Sequence, residues 1–425
     1  MSVPTSVDPR WLDLVDAVAR RRLGSRDRTG PALSAAVRAV SAVYTRRERT
    51  GPASLASTAG ADDVLAARLR FFLPRDLPKV GGPLRELAWA GLLRTHGTLR
   101  VLDVGAGLGT STFGALDTIG SLGAGADLAM EVTALDTDAR ALSIFADLSE
   151  ALRAAPWASE WPRLRVRTLV ADAMDPRRIP PGPFDLVVAG FVLNELSAAE
   201  EGHAAAVSLA EWLRALVARV SPDGALVVLE PALAMSARAL HAARDVLMQV
   251  PGHVCIFAPC LHAGPCPMLE RARDWCHEDE PARLPPALAA VARGAGLRFE
   301  GLTFSYLTLR RDGATLAGAL ARGDARFRDR RALRIVGGAR PTKGKTTITA
   351  CAEGGRVELI ELARDVGRDG VVGQLARGDV VGVVAPQGAT SVRLGATDGT
   401  AESAPVVRAR PSSSDPQQTG RLLPR

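Results

Sequence analysis

The stretch that most constrains this chain is residues 101–109, Val-Leu-Asp-Val-Gly-Ala-Gly-Leu-Gly, an apolar run that ends in an acid and three glycines at alternate positions. Such a run reads as a buried strand. Gly105, Gly107 and Gly109 leave no Cβ in the way of a tight turn, or of a nucleoside approaching the backbone, before residues 110–113 open a helix. The spacing is G-x-G-x-G with Asp103 two residues ahead of the first glycine. It suits S-adenosylmethionine better than the G-x-G-x-x-G turn that seats a dinucleotide pyrophosphate. Asp103 is expected to face the cationic methionine end of that cofactor, whereas a phosphate would be repelled. A glycine-rich turn with no ligand has the same local pattern, so the downstream segments decide.

Strand and helix patterns alternate from residue 99 onward, as in a parallel sheet with helices on both faces. The expected strands are 99–104, 131–135, 165–170, 184–190, 225–230, 253–258 and 302–309. They predict an α/β, Rossmann-like sheet of seven strands, the class I S-adenosylmethionine-dependent methyltransferase fold. Asp136, at the end of the second strand, is placed to hold ribose hydroxyls, with Asp138 as the fallback. Asp172, after the third, is placed to accept from the adenine amino group. Each acid alone reads equally well as a helix cap. Three acids at three strand ends point instead to a nucleoside. Residues 191–196, Phe-Val-Leu-Asn-Glu-Leu, follow the fourth strand where substrate would meet the methyl group, making Asn194 and Glu195 the candidate catalytic residues. They do not form the Asn-Pro-Pro-aromatic motif of many adenine methyltransferases, and no general base is identified.

At 425 residues the chain is long enough for two or three units. Residues 1–97 carry helical apolar spacing broken by Gly-Pro turns and are expected to form a helical N-terminal domain. The methyltransferase domain is expected at 98–311, with a cysteine-rich insertion at 259–296. A basic segment and a small β-containing module follow at 312–387. Residues 388–425, rich in Ser, Pro, Thr and Gln, read as a disordered tail. No apolar run approaches the roughly 18 residues that span a bilayer, and residues 1–10 have no apolar signal core. A cytoplasmic monomer with no membrane partner is therefore expected.

The net charge of +7 favours a polyanionic partner. Between Arg322 and Lys345 nine basic residues meet only Asp324 and Asp329, so this segment alone carries +7. Arg326, Arg328, Arg330, Arg331, Arg334, Lys343 and Lys345 are its candidate RNA-binding residues.

Four of the five cysteines fall between Cys255 and Cys276. Cys260, Cys266 and Cys276 lie within 17 residues, which invites a soft metal. Their spacing fits neither the short C-x₂-C knuckle of most zinc sites nor a bacterial ferredoxin run. Zinc with His262 or His277, a catalytic nucleophile at Cys260, and inert buried thiols are the other readings.

The loop at 103–109, the Asn194-Glu195-Leu196 segment, the run Ala258-Pro-Cys260-x-His262-x₃-Cys266-Pro267, the Cys276-His277 pair and the late Cys351 together resemble the Rsm-type small-ribosomal-subunit assembly family. This methyltransferase-like family has mitochondrial and bacterial members. The likeness covers about residues 60–385, and the cysteine run is its most specific part. It implies a methyltransferase fold that carries a [4Fe–4S] cluster and acts on the small subunit and its rRNA. Carried over, the ligands would be Cys260, Cys266, Cys276 and Cys351, so that the iron-sulfur site joins the C-terminal module to the core. Two function classes follow, an rRNA methyltransferase and a non-catalytic assembly factor that binds rRNA.

Overall fold

The computed structural model describes residues 5–45, 60–193, 202–250, 252, 254–324, 327–364, 370–386 and 388–394. The chain opens with β1 (Thr5–Ser6) and the helices α1 (Pro9–Leu23) and α2 (Gly30–Thr45). Asp8 caps α1 by accepting the Arg10 amide at 2.9 Å. Next comes α3 (Ala61–Ala67), continued by a π turn (Arg68–Phe72), an α turn (Leu73–Asp76) and a 3-10 turn (Leu77–Val80) into α4 (Gly81–Trp89). Pro74 and Pro78 fall at first or second positions of their turns, where a missing amide costs little, so the direction changes without a break.

These helices share one core with the sheet. Trp11 is fully buried against Phe113, Trp157 and Trp161, with ring centroids 5.4, 5.7 and 5.9 Å away. Its Nε1 donates to Asp117 at 2.8 Å. Truncating such a side chain costs about 3–5 kcal/mol, so α1 is a layer of the central fold, not the edge of a separate helical unit.

The central fold runs β2 (Gly97–Val104), α5 (Thr110–Ser121), β3 (Leu128–Asp136), α6 (Ala139–Ala154), β4 (Arg163–Val170), β5 (Phe184–Gly190), α7 (Gly202–Val217), β6 (Val220–Pro231), α8 (Ala234–Gln249), β7 (Cys255–Ala258), β8 (Glu278–Arg283), α9 (Pro286–Ala295), β9 (Glu300–Arg310) and α10 (Leu316–Gly323). Strand order is β1-β8-β9-β6-β5-β2-β3-β4, with β7 also on β9. β2 to β6 are parallel to their neighbours in this set, and β9 is antiparallel to β6. This is the doubly wound α/β sheet expected, with the order reversing between β2 and β5.

The sheet has nine strands, not seven. At about 3.3 Å per residue, the 11-residue β9 is long enough to seat two partners along one edge. Cys255–Ala258 pairs near its end and Glu278–Arg283 near its start. The cysteine-rich insertion thus supplies β8 and α9 to the fold.

Alternate residues of the buried strands divide between two cores. Val101, Val188 and Val227 face α1, α5 and α6, whereas Leu102, Val187 and Val228 face α7 and α8. Between β4 and β5 the chain makes turns and no helix. One face of β4 therefore stays open, and Arg163, Arg165 and Arg167 are exposed on it.

The C-terminal module is a six-stranded sheet built from β10 (Arg331–Ile335), β11 (Arg340–Thr342), β12 (Lys345–Ala352), β13 (Gly355–Leu362), β14 (Val380–Val383) and β15 (Ser391–Leu394). β15 corrects the expectation of a tail from residue 388. Val392 and Leu394 alternate inward into the module's core, and the strand pairs in parallel with β13. Residues 395–425 lie outside the described residues. Among the described residues no helix is long and apolar enough to cross a membrane.

Candidate functional site

A cavity of about 590 Å³ opens at the carboxyl ends of β2, β3, β5 and β6, where ligands bind in doubly wound sheets. Its floor is the glycine loop. Gly105, Gly107 and Gly109 have φ of 66°, 50° and 86°, a region that L side chains rarely adopt. Gly107 lies under Arg68, whose Nη2 would sit 2.8 Å from an added Cβ. Gly109 faces helix packing, since its Cβ would fall 2.4 Å from the Phe145 ring. The sequence motif therefore serves both the cavity and the seating of α6 on the loop.

The three predicted acids part ways. Asp136 lines the cavity, and its two oxygens accept the Gly107 amide at 2.7 Å and the Asp138 amide at 2.8 Å. One carboxylate thus holds the glycine loop against the end of β3. Asp138 also lines the cavity, caps α6 by accepting the Ala141 amide at 3.0 Å, and pairs with Arg68 at 3.3 Å.

Asp103 departs from expectation. It is outside the cavity lining and only 1% exposed, and its Oδ2 accepts the Thr112 hydroxyl at 2.6 Å. Burial pushes its carboxyl up to about 6, against the opposing pull of the Thr112 hydrogen bonds. It ties β2 to the first turn of α5 and acts on the loop from beneath. Asp172 is exposed, accepts the Met174 amide at 2.9 Å and also lies off the lining. Its turn after β4 is capped locally, so nothing directs the carboxylate inward. Asn194 and Glu195 lie outside the described residues.

The N-terminal segment supplies a cavity wall that the sequence alone did not reveal. Arg68, Arg75, Asp76 and Lys79 line it, brought over the loop because the 3-10 turn packs on α5 at Gly114, where an added Cβ would lie 2.0 Å from the Leu77 carbonyl. The only sequence signal was Lys79 itself, one of three lysines in an arginine-rich chain.

The four cysteines come together from two segments. Cys260, just after β7, lies with Cys266 and Cys276 in the insertion, and Cys351 stands near the end of β12. Cys266, Cys276 and Cys351 share a small buried cluster with Met268 and Val336. Burial pushes each of the four thiols up, Cys266 to about 12, and every pair among them adds to the rise. Cys255 stands apart. Its thiol faces the Arg310 and Ala314 carbonyl oxygens, each at 3.4 Å, and burial raises it with no contribution from another cysteine.

Cations surround the thiol group. The Arg244 side chain is fully buried, donates to the His262 carbonyl at 2.7 Å and to that of Gly264, and draws the Cys260 thiol down. Arg334 acts on Cys260 and Cys351 in the same sense. His262 Nε2 is 3.5 Å from Cys351 Sγ, and burial lowers its pKa to about 4. No trio of His, Cys, Asp or Glu among the described residues closes tightly enough to hold a single metal ion.

The basic segment does not form one surface. Arg334 is 4% exposed and donates to Glu86 at 2.7 Å, to the Tyr306 hydroxyl at 2.6 Å, and to the carbonyls of Pro259 and Gly378 at 3.0 and 2.7 Å. Arg331 is half-buried on the carbonyls of Glu353 and Ala389, at 2.5 and 3.2 Å. Arg330 is half-buried, with Nη1 enclosed and unpaired. Both Arg331 and Arg334 lie in β10, a middle strand of the module, so sheet formation drew them inward. Arg328, Lys343 and Lys345 are exposed, and Arg326 lies outside the described residues. A second basic feature is the open row Arg163, Arg165, Arg167, whose R-x-R-x-R alternation puts three guanidiniums on one strand face.

No curated protein has significant sequence similarity to this chain. Solved structures similar to it include an rRNA methylase from Streptococcus thermophilus (10% identity, 53% of this chain and 93% of that one, TM-score 0.28). An O-methyltransferase family protein from Burkholderia thailandensis is another (18% identity, 61% and 60%, TM-score 0.30). A third is a precorrin-6y C5,15-methyltransferase from Geobacter metallireducens (15% identity, 53% and 87%, TM-score 0.29). Likeness this remote says nothing about activity. A family profile, in contrast, matches residues 93–378, from just before the glycine loop to beyond Cys351, and by that match the chain belongs to the family described as mitochondrial small ribosomal subunit Rsm22.

Proposed function

We propose that this protein binds S-adenosylmethionine over its glycine loop, carries a [4Fe–4S] cluster on Cys260, Cys266, Cys276 and Cys351, and acts on the small ribosomal subunit as an rRNA methyltransferase. The observation that carries the cofactor reading is the cavity itself, with Asp136 bonded to the Gly107 amide on its floor. Bound there, S-adenosylmethionine would supply an electrophilic methyl group. The chain's residues would order the loop, hold the ribose at Asp136 and keep the nucleoside against the backbone of 105–108.

Charge is what favours a cluster at the thiol site. A cubane leaves four thiolates with net negative charge, which the buried Arg244 and Arg334 would balance. Its role would be structural, since it would bridge the insertion and β12.

Membership of the family supports the small subunit as the partner. The exposed Arg163, Arg165 and Arg167, with Arg328, Lys343 and Lys345, are the cations available for rRNA phosphates.

A second reading is a non-catalytic assembly factor, since residues 191–196 do not form the Asn-Pro-Pro-aromatic motif that grips an amino group in many adenine methyltransferases. Mapping rRNA modifications in a deletion strain, alongside the sedimentation of its subunits, separates the two. Loss of one methyl group supports the enzyme. Accumulated immature subunits with unchanged modification support the assembly factor.

A further inference from the structure

Asp103 faces away from the cavity, which leaves the amino-acid end of an S-adenosyl ligand without its expected partner. Charged groups do line that cavity elsewhere. Arg68 reaches Asp138 at 3.3 Å, Arg140 reaches Asp62 at 2.9 Å and Arg298 reaches Asp279 at 3.0 Å, so each of these cations has a carboxylate. Arg75 and Lys79 share a single one. Asp76 Oδ1 lies 2.9 Å from Lys79 Nζ and 3.5 Å from Arg75 Nη1.

All three side chains are largely out of water, at 5% exposure for Lys79, 13% for Asp76 and 18% for Arg75. Two cations and one anion in such a place are short of one negative charge. Lys79 and Asp76 both line the cavity, so a ligand there can reach the ion pair. Across from it, Phe191 turns its ring to Lys79 with Nζ 5.1 Å from the centroid. Phe191 holds a left-handed φ of 64°, a strained conformation for a side chain of its size. Burial draws the Lys79 ammonium down from the usual lysine range, and Asp76 opposes this.

We infer that Lys79 and Asp76 form a zwitterion-reading pair, with Lys79 taking the α-carboxylate and Asp76 the α-ammonium of an S-adenosyl ligand. The inference deepens the cofactor reading above and rests on it. A ligand carboxylate at Lys79, with Arg75 beside it, gives the second cation an anion of its own. The ligand ammonium meets the Asp76 carboxylate and leaves the net charge of the group unchanged. The pair therefore sets specificity for the amino-acid tail, while Asp136 and the glycine loop serve the nucleoside.

The test is calorimetric titration of the full chain with S-adenosylhomocysteine and with 5′-methylthioadenosine, which keeps the nucleoside and thioether but lacks the aminocarboxypropyl tail. Wild type should prefer the former by about 30-fold, the scale of charge-assisted hydrogen bonds. Lys79→Met should cut that preference below about threefold with the 5′-methylthioadenosine affinity held within about twofold, and Lys79→Arg should restore most of it. Asp76→Asn should reduce it in part. A Lys79→Met chain that weakens both ligands equally, or leaves the preference intact, overturns the inference. Should that variant not fold, an unchanged preference in Asp76→Asn overturns it instead. Wild type that binds both ligands equally defeats this pair alone, whereas wild type that binds neither defeats the cofactor reading as well.

Discussion

Arg334 and Glu86, 248 positions apart, meet in a buried ion pair at 2.7 Å that joins the C-terminal sheet to α4. The Tyr306 hydroxyl donates to Glu86 and accepts from Arg334, so the pair spans three layers of the molecule. Burial pushes the Glu86 carboxyl up, and the Arg334 guanidinium opposes that rise. Arg334→Met should therefore destabilise the chain by about 3–5 kcal/mol by leaving Glu86 buried and unpaired. Adding Glu86→Gln should recover much of the loss. Urea unfolding of the two variants checks this, and a single variant as stable as wild type would remove the pair from any role in holding the module.

Asp103→Asn should preserve the hydrogen bond from Thr112 and leave S-adenosylhomocysteine affinity within about twofold, because the side chain lies off the cavity. Its folded pKa of about 6 stands above the ordinary 3.8, so its protonated form favours the fold. That contribution is complete below the unfolded value and is lost as pH rises through about 6. The variant should thus gain up to about 3 kcal/mol over wild type at pH 7.5 and only about 0.5 kcal/mol at pH 4. Melting curves at both pH values, with calorimetry at the higher one, decide it. A large loss of affinity would return Asp103 to direct contact with the ligand.

Replacing Arg163, Arg165 and Arg167 together with Ser should flatten the slope of log affinity for small-subunit rRNA against log salt by about 2 to 3. Lys343→Ser with Lys345→Ser should flatten it by about 1.5 to 2. The Arg334→Met variant should leave the slope alone. An unchanged slope in the triple variant would mean that the arginines only blunt an exposed sheet edge.

Anaerobically purified protein should be brown and hold about four irons per chain. Cys351→Ser should lose or weaken the cluster and open residues 331–394 to protease, and Cys255→Ser should do neither. Stoichiometric zinc, or a cluster lost in the Cys255 variant and retained in the Cys351 variant, would refute the ligand set.

Local patterns in the sequence determined much of this protein. Period-two apolar runs are read from near neighbours, so β2, β3, β4, β5 and β6 stand where alternation and glycine placement put them. Cys260, Cys266 and Cys276 stood out by their spacing, whereas Cys351 entered only through the family resemblance, and the fold brings the four thiols near one another. What a side chain faces depends on distant segments, and this only the tertiary structure decided. Arg334 looked like one more phosphate contact until β10 became an inner strand opposite Glu86. Asp103 turned under the loop because Thr112 and burial claim it, and the helical segment carrying Lys79 became a cavity wall because Gly114 lets it close on α5. The physical reason is the same in each case. Periodicity fixes which face of an element is apolar, whereas the burial of a charge depends on whether a partner from elsewhere in the chain arrives to neutralise it.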